Sequence, residues 1–326
     1  MNSKLPLVSV IIPVFQARDA LPGLLKNLGE QSYTELEILI IDDASNDPIK
    51  DILETEAQNH NLKLGSITLP RHMGASTARR AGLTKASGEY IQFLSVYDRI
   101  HPLKISTQVD KLMAQEDLIM TYTWTSLISK EGELLQETWE HSHEPIETIL
   151  PYAFTQKHWT PASCLWRKNS IKPEAWKSVQ KDGARLFDWI CGLQGDKIGL
   201  TESEIALCMR INRPLENSEL SGEELKEYLK SIKFFKDEWK FFNEPKLNYL
   251  KRHIAELFAN LTPHFIADKQ YTLARECLMH AENMSPSALS KAESFTFHVS
   301  GKAPNSALLW KGLAKWYKLE KWLEEA

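Results

Sequence analysis

Apolar positions in the first hundred residues follow two alternating rhythms, and that alternation predicts the fold. Leu7-Val8-Ser9-Val10-Ile11-Ile12 is nearly continuous and β-branched, the pattern of a strand buried on both faces of a parallel sheet, and Pro13 ends it. Over residues 19–30 the rhythm changes. Leu21, Leu24, Leu25 and Leu28 recur at three- and four-residue intervals and make one helical stripe. A second buried strand, Leu36-Glu37-Ile38-Leu39-Ile40-Ile41, is stopped by the turn formers Asp42-Asp43-Ala44-Ser45-Asn46-Asp47. Strand, helix, strand is the signature of a parallel sheet covered by helices.

The same reading continues with a helix over 48–58, a weak strand over 62–69, a helix over 74–86 broken by Gly88, and a short strand over 90–94. Ligands in open α/β sheets collect outside the carboxyl ends of the strands, and Pro13, Asp43 and Asp98 all fall there. Beyond Pro102 a helix begins. A strand over 118–128 leads into a hairpin around Lys130-Glu131-Gly132-Glu133, and 139–180 is irregular and aromatic-rich before a helix over 184–194. Near residue 215 the chain turns rich in Lys, Glu, Leu and aromatics. The expected organisation is an α/β domain over 1–215, a mostly parallel sheet flanked by helices, with a helical region over 216–326.

Composition narrows the partners more than the fold. A hydrophobic fraction of 43% with 25% charged residues is that of an ordinary globular chain, which argues against disorder. The formal net charge of -4 gives no general attraction to polyanions, and the first half holds no basic patch, so no nucleic acid is expected. Cys164, Cys191, Cys208 and Cys277 form no CxxC pair and are expected as reduced, mostly buried thiols. The N-terminal run is too short for a signal peptide and no segment has the length of a transmembrane helix, so a cytoplasmic location is expected.

Three ordered blocks resemble glycosyltransferase family 2 and its GT-A fold. They are Val8-Ser9-Val10-Ile11-Ile12-Pro13-Val14-Phe15, then Ser32 through Ser45 with its Asp42-Asp43 pair, then Gly74-Ala75-Ser76-Thr77-Ala78-Arg79-Arg80 followed by Gly88-Glu89-Tyr90-Ile91 and Phe93 to Pro102. The resemblance covers about 100 residues tightly and about 215 loosely. It implies a nucleotide-sugar-binding, Rossmann-like sheet and an inverting transfer of a sugar, from a UDP-sugar, to a hydroxyl of a polysaccharide or glycolipid. It also implies a donor site in which Asp43 accepts the imide N–H of uracil, the backbone at Pro13, Val14 and Phe15 flanks the base, and Arg79 reaches the pyrophosphate. An ionised carboxylate only accepts hydrogen bonds, so it selects a base edge that offers a donor. A plainer reading makes Asp42 and Asp43 turn or cap residues and Arg79 a solvated or salt-bridged arginine.

Two departures from the family pattern bear on chemistry. The family's metal-binding DxD cluster aligns with Ser95-Val96-Tyr97-Asp98, so Asp98 alone remains to hold Mg²⁺ or Mn²⁺; its plainer role is to cap the helix near Pro102. One lost charge contact with the pyrophosphate at about 4 Å costs around 4 kcal/mol at an effective dielectric near 20, roughly a thousandfold in rate. Arg71, His72, Arg99 and His101 are candidate cations for metal-independent chemistry. Further on, Leu186-Phe187-Asp188-Trp189 is similar to the family's Glu-Asp-Trp segment with Phe187 replacing the glutamate, which implies Asp188 as general base. Its plainer role is a helix N-terminal charge.

His158, Trp159 and Trp166 are candidate acceptor-pocket residues or core. Residues 308–323 predict an amphipathic helix that docks on preceding helices or lies against a membrane face. The missing carboxylates keep a second function class open, a catalytically impaired binding scaffold. A nicotinamide-dependent oxidoreductase is disfavoured because no GxGxxG follows the first strand.

Overall fold

The first strand, β1 (Val8–Val14), is an interior strand of a seven-stranded sheet, as its nearly unbroken run of apolar side chains requires. The computed structural model describes residues 5–129, 133–136, 145–150, 159–176, 183–194, 197–201, 208–211, 244–267 and 269–286, with positions 226, 229 and 233. The chain divides into two compact units, Met1–Pro214 and Leu215–Ala326.

In the first unit, β1 is followed by α1 (Leu21–Gly29), β2 (Leu36–Asp42), α2 (Lys50–His60), β3 (Leu64–Thr68), α3 (Ala75–Lys85) and β4 (Tyr90–Phe93). Pro22 in the first turn of α1 gives up an N–H that has no helical partner anyway. The stripe of Leu21, Leu24, Leu25 and Leu28 is fully buried, at about 1.5–3 kcal/mol per side chain, which pins this helix to the sheet. Helix α3 lies closest to the strands. A Cβ at Gly82 would stand 2.4 Å from Ile11 Cγ2, so the approach needs a residue without a side chain.

The chain continues through β5 (Asp98–Ile100), α4 (Lys104–Ala114), β6 (Met120–Tyr122), β7 (Thr125–Ile128), β8 (Leu134–Gln136), β9 (Leu165–Arg167), α5 (Gly183–Gln194), β10 (Ile198–Leu200) and β11 (Cys208–Ile211). The large sheet has the order β10-β6-β9-β4-β1-β2-β3; β9 runs antiparallel to both its neighbours and the other pairs are parallel. A second sheet, β5-β11-β7-β8, places β11 antiparallel to β5 and parallel to β7.

Two details differ from the sequence reading. The single strand expected over 118–128 is two strands in different sheets: buried Met120–Tyr122 joins the large sheet, and Thr125–Ile128 leaves it to pair with β11. Asp98 opens a strand and does not cap the next helix, whose N-cap is Leu103 with no side-chain cap.

In the second unit, α6 (Glu244–Ala267) packs on α7 (Tyr271–Met284). Ile254, Ala255, Phe258 and Phe265 of one helix and Ala274, Cys277, Leu278 and Ala281 of the other are buried. Burial pushes the Cys277 thiol up to about 12, and Cys164, Cys191 and Cys277 are buried, reduced thiols. No described helix is long and apolar enough to cross a membrane. Residues 308–323, proposed as an amphipathic helix, lie outside the described residues.

Candidate active site

The carboxyl ends of β1, β2 and β4 open on a cavity of about 250 Å³ lined by Pro13, Val14, Phe15, Ala17, Asp43, His72, Ala75, Arg79, Ser95, Val96 and Tyr97. It lies just below the roughly 300–1,000 Å³ of drug-sized ligand sites, which suits a single ring system. Five residues singled out from sequence, Pro13, Val14, Phe15, Asp43 and Arg79, meet here although they lie up to 66 positions apart in the chain.

The two neighbouring aspartates divide the work. Asp42 Oδ1 accepts the Ser45 N–H at 3.0 Å, a local turn bond, and Ser45 Oγ accepts the Gln16 N–H at 3.0 Å. Asp43 reaches across instead. Its Oδ1 and Oδ2 accept the Met73 and Gly74 N–H groups, each at 2.7 Å, and His72 Nδ1 lies 2.9 Å from Oδ2. The carboxylate is only 2% exposed, so those donors stand in for water. The loop it grips leads straight into α3, and Gly74 takes the left-handed φ of +86° that starts that helix.

Backbone strain gathers on the same rim. Gln16 and Ala44, both non-glycine, have φ of 48° and 62°. Such residues cost of order 1–3 kcal/mol each and persist where surrounding contacts over-determine them. Above the cavity the half-exposed Phe15 ring stacks on His72, with centroids 3.8 Å apart and planes 26° apart.

Arg79 projects from α3 over the face of Trp176, its guanidinium carbon 4.9 Å from the ring centroid. Trp176 in turn stacks on Phe187 at 4.3 Å and 16°, and both rings meet Phe93 of β4 edge-on. This aromatic cluster joins the cavity wall to α5, the helix that carries Asp188. Phe187 is thus a core residue, which explains why an apolar ring stands where the family has glutamate.

Asp188 is half-buried and its Oδ2 accepts the Trp159 indole N–H at 2.9 Å. It lies in the second turn of α5, whose first turn has no acidic residue, so the helix-terminus reading of this aspartate fails. Asp188 is not among the residues lining the cavity; the aromatic cluster links the two. Trp159 and Trp166 are buried core rings, and His158 lies outside the described residues.

The turn after β4 is closed on itself. Asp98 Oδ2 accepts the Ser95 N–H at 2.7 Å, the Asp98 N–H donates to the Ser95 carbonyl at 3.0 Å, and Asp98 is 5% exposed. A hard divalent cation needs several oxygen ligands, and among the described residues no three His, Cys, Asp or Glu side chains converge to hold one. Among the described residues Asp98 is the one acid of this turn, and ligating Mg²⁺ or Mn²⁺ would compete with its bond to the Ser95 N–H.

Of the other candidate cations, Arg99 is spent on the turn, donating to the carbonyls of Val96 at 3.1 Å and Asp98 at 2.8 Å. Burial lowers its pKa, against the pull of Asp98. His101 Nδ1 accepts the Leu103 N–H at the start of α4, and Arg71 is exposed. His72 alone of these four lines the cavity. Trp176 went unnoticed in the sequence because it lies in a segment with no periodicity to read.

A mostly parallel sheet with a base-sized, acid-floored cavity at its carboxyl edge defines a GT-A-type α/β fold. Solved structures agree. S. aureus TarS 1–349 in complex with UDP-GlcNAc matches with a TM-score of 0.74 and 16% identity, covering 96% of this chain and 92% of that one. The Pyrobaculum calidifontis mannosyltransferase PcManGT, solved with GDP-Man and Mn²⁺, matches with a TM-score of 0.56 and 13% identity, covering 96% of this chain and 84% of that one.

Residues 9–164, just under half of the chain, match Glycosyl transferase family 2. The putative teichuronic acid biosynthesis glycosyltransferase TuaG of Bacillus subtilis (strain 168) is 31% identical over 137 residues, 42% of this chain and 54% of that protein. The chain spans about half the length of the curated relatives that resemble it first.

Proposed function

We propose that this chain is an inverting glycosyltransferase that moves a sugar from a nucleotide sugar, UDP-linked, to a hydroxyl of a polysaccharide or glycolipid. The observation that carries the reading is the cavity in which Pro13, Val14, Phe15, Asp43 and Arg79 converge. A carboxylate has about four lone-pair sites, and Asp43 already uses three of them. The remaining site suits one further N–H, the imide of a uracil seated against the Pro13–Phe15 backbone.

Arg79, held over Trp176, presents a planar fork to the diphosphate. Asp188 takes the proton of the acceptor hydroxyl as that oxygen attacks the anomeric carbon, while the C–O bond to the nucleoside diphosphate breaks on the opposite face. The named relatives favour this class of reaction: one is described in teichuronic acid biosynthesis, and one solved neighbour holds UDP-GlcNAc.

Turnover of UDP-sugars by the purified chain, with and without Asp188→Asn, tests the proposal. Asparagine keeps an oxygen for the Trp159 indole and loses the base, so the rate falls about 10²–10⁴-fold with the fold intact. Full activity in that variant removes Asp188 from its role. A second reading, a binding scaffold without catalysis, is favoured by Ser95 and Tyr97 standing where the family has acids. Nucleotide binding without any donor turnover would establish it.

A further inference from the structure

We infer that this chain binds the diphosphate of its donor without a divalent cation, the counter-charge being the Arg79 guanidinium. The inference rests on the donor-site reading above and adds how that site handles charge.

A nucleoside diphosphate brings two or three negative charges to the end of β4, and something positive must meet them. The turn there offers Ser95, Val96 and Tyr97 to the cavity, three side chains with no charge. Its one acid, Asp98, is not among the residues lining the cavity and is buried as a staple across its own turn, with the Ser95 N–H on Oδ2 at 2.7 Å. Ligating a cation would cost it that bond and its buried seat. The remaining acid on the rim, Asp43, has three of its lone-pair sites taken by the Met73 and Gly74 amides and His72, and the donor-site reading gives the fourth to the base. No described group of acids, histidines or thiols is placed to complete a coordination shell.

Arg79 is in the right place for the task. It lines the same cavity as Ser95 and Tyr97, on the wall formed by α3. Trp176 lies 4.9 Å beneath its guanidinium, and Phe187 supports Trp176 from behind at 4.3 Å, so the fork is held before any ligand arrives. A pre-positioned guanidinium matches two phosphate oxygens at once and keeps its charge at any working pH. A divalent cation brings two positive charges and a guanidinium one; here the protein carries its counter-charge covalently.

Calorimetry with the full chain separates the possibilities. UDP and uridine are titrated in EDTA and again in Mn²⁺, against the wild type, Arg79→Ala and Arg79→Lys. The expected result is a wild-type UDP affinity that changes less than threefold between the two buffers. Arg79→Ala should lose tenfold or more for UDP and keep its uridine affinity, with Arg79→Lys recovering part of the loss. A threefold or greater gain for wild-type UDP in Mn²⁺ overturns the inference and leaves the donor reading standing. Equal losses of UDP and uridine in Arg79→Ala also overturn it, since they mark a structural role. No UDP binding in either buffer sinks the donor reading itself.

Discussion

Replacing Asp43 by asparagine tests whether one carboxylate both builds and reads the cavity. The wild-type side chain accepts two backbone N–H bonds at 2.7 Å, one on each oxygen, at 2% exposure. Hydrogen bonds to a charged acceptor are worth about 1.5–3 kcal/mol each, and a buried donor left without a partner costs about 1–3 kcal/mol. Asparagine keeps one oxygen and turns an NH₂ toward the other amide, so one bond is lost outright and the other becomes neutral. The expected destabilisation is about 2–4 kcal/mol.

At roughly 2–4 °C per kcal/mol for a unit of this size, the melting temperature should fall by about 4–16 °C. Tryptophan fluorescence on heating reads this, because Trp159, Trp166 and Trp176 are buried in the same unit. Asp42→Asn is the matched control: asparagine can still accept the Ser45 N–H, so its melt should stay close to wild type. UDP binding should be lost in Asp43→Asn and kept in the control. A melt of Asp43→Asn within 1 °C of wild type would refute the account of how the 72–74 loop is held.

Two further outcomes follow from the packing and the charges. Phe187→Glu, which restores the family's residue type, should cost about 3–5 kcal/mol and abolish a clean melt, because it puts a carboxylate between Trp176 and Phe93. Burial raises the Glu37 pKa, but hydrogen bonds from Ser87, Ser9 and the Ser87 and Gly88 amides outweigh it, so the net shift is downward. A depressed folded-state pKa adds stability above the unfolded value, near 4.3, and that stability is lost as pH falls through the folded value. Glu37→Gln should therefore melt well below wild type at pH 7 and converge with it below about pH 4; a gap unchanged by pH would contradict this.

Periodicity made β1, α1, β2, α3 and β4 legible because each satisfies its own burial pattern locally. The convergence of Pro13, Val14, Phe15 and Asp43 on one cavity was legible for a related reason: these residues sit at strand ends, where turn chemistry marks them. What escaped depends on long-range pairing. The break after Tyr122 and the strand character of Asp98 arise from β11, 110 positions beyond Asp98, and no local pattern announces a partner that distant. The division of labour between Asp42 and Asp43 was open for the same reason, since the Met73 and Gly74 amides that settle it come from another loop. Phe187 read as a departure from a motif until its stack on Trp176 showed it as core.

Strand β11 lies between β5 and β7, its Cys208 opposite Ile100 on one side and Thr125 on the other. During synthesis residues 13–97, among which lie all those lining the cavity, leave the ribosome long before residue 208 emerges. Until then the short β5, which anchors the Ser95–Asp98 turn, has an open edge toward water. The residues that line the cavity are thus made well before the strand that pairs with β5.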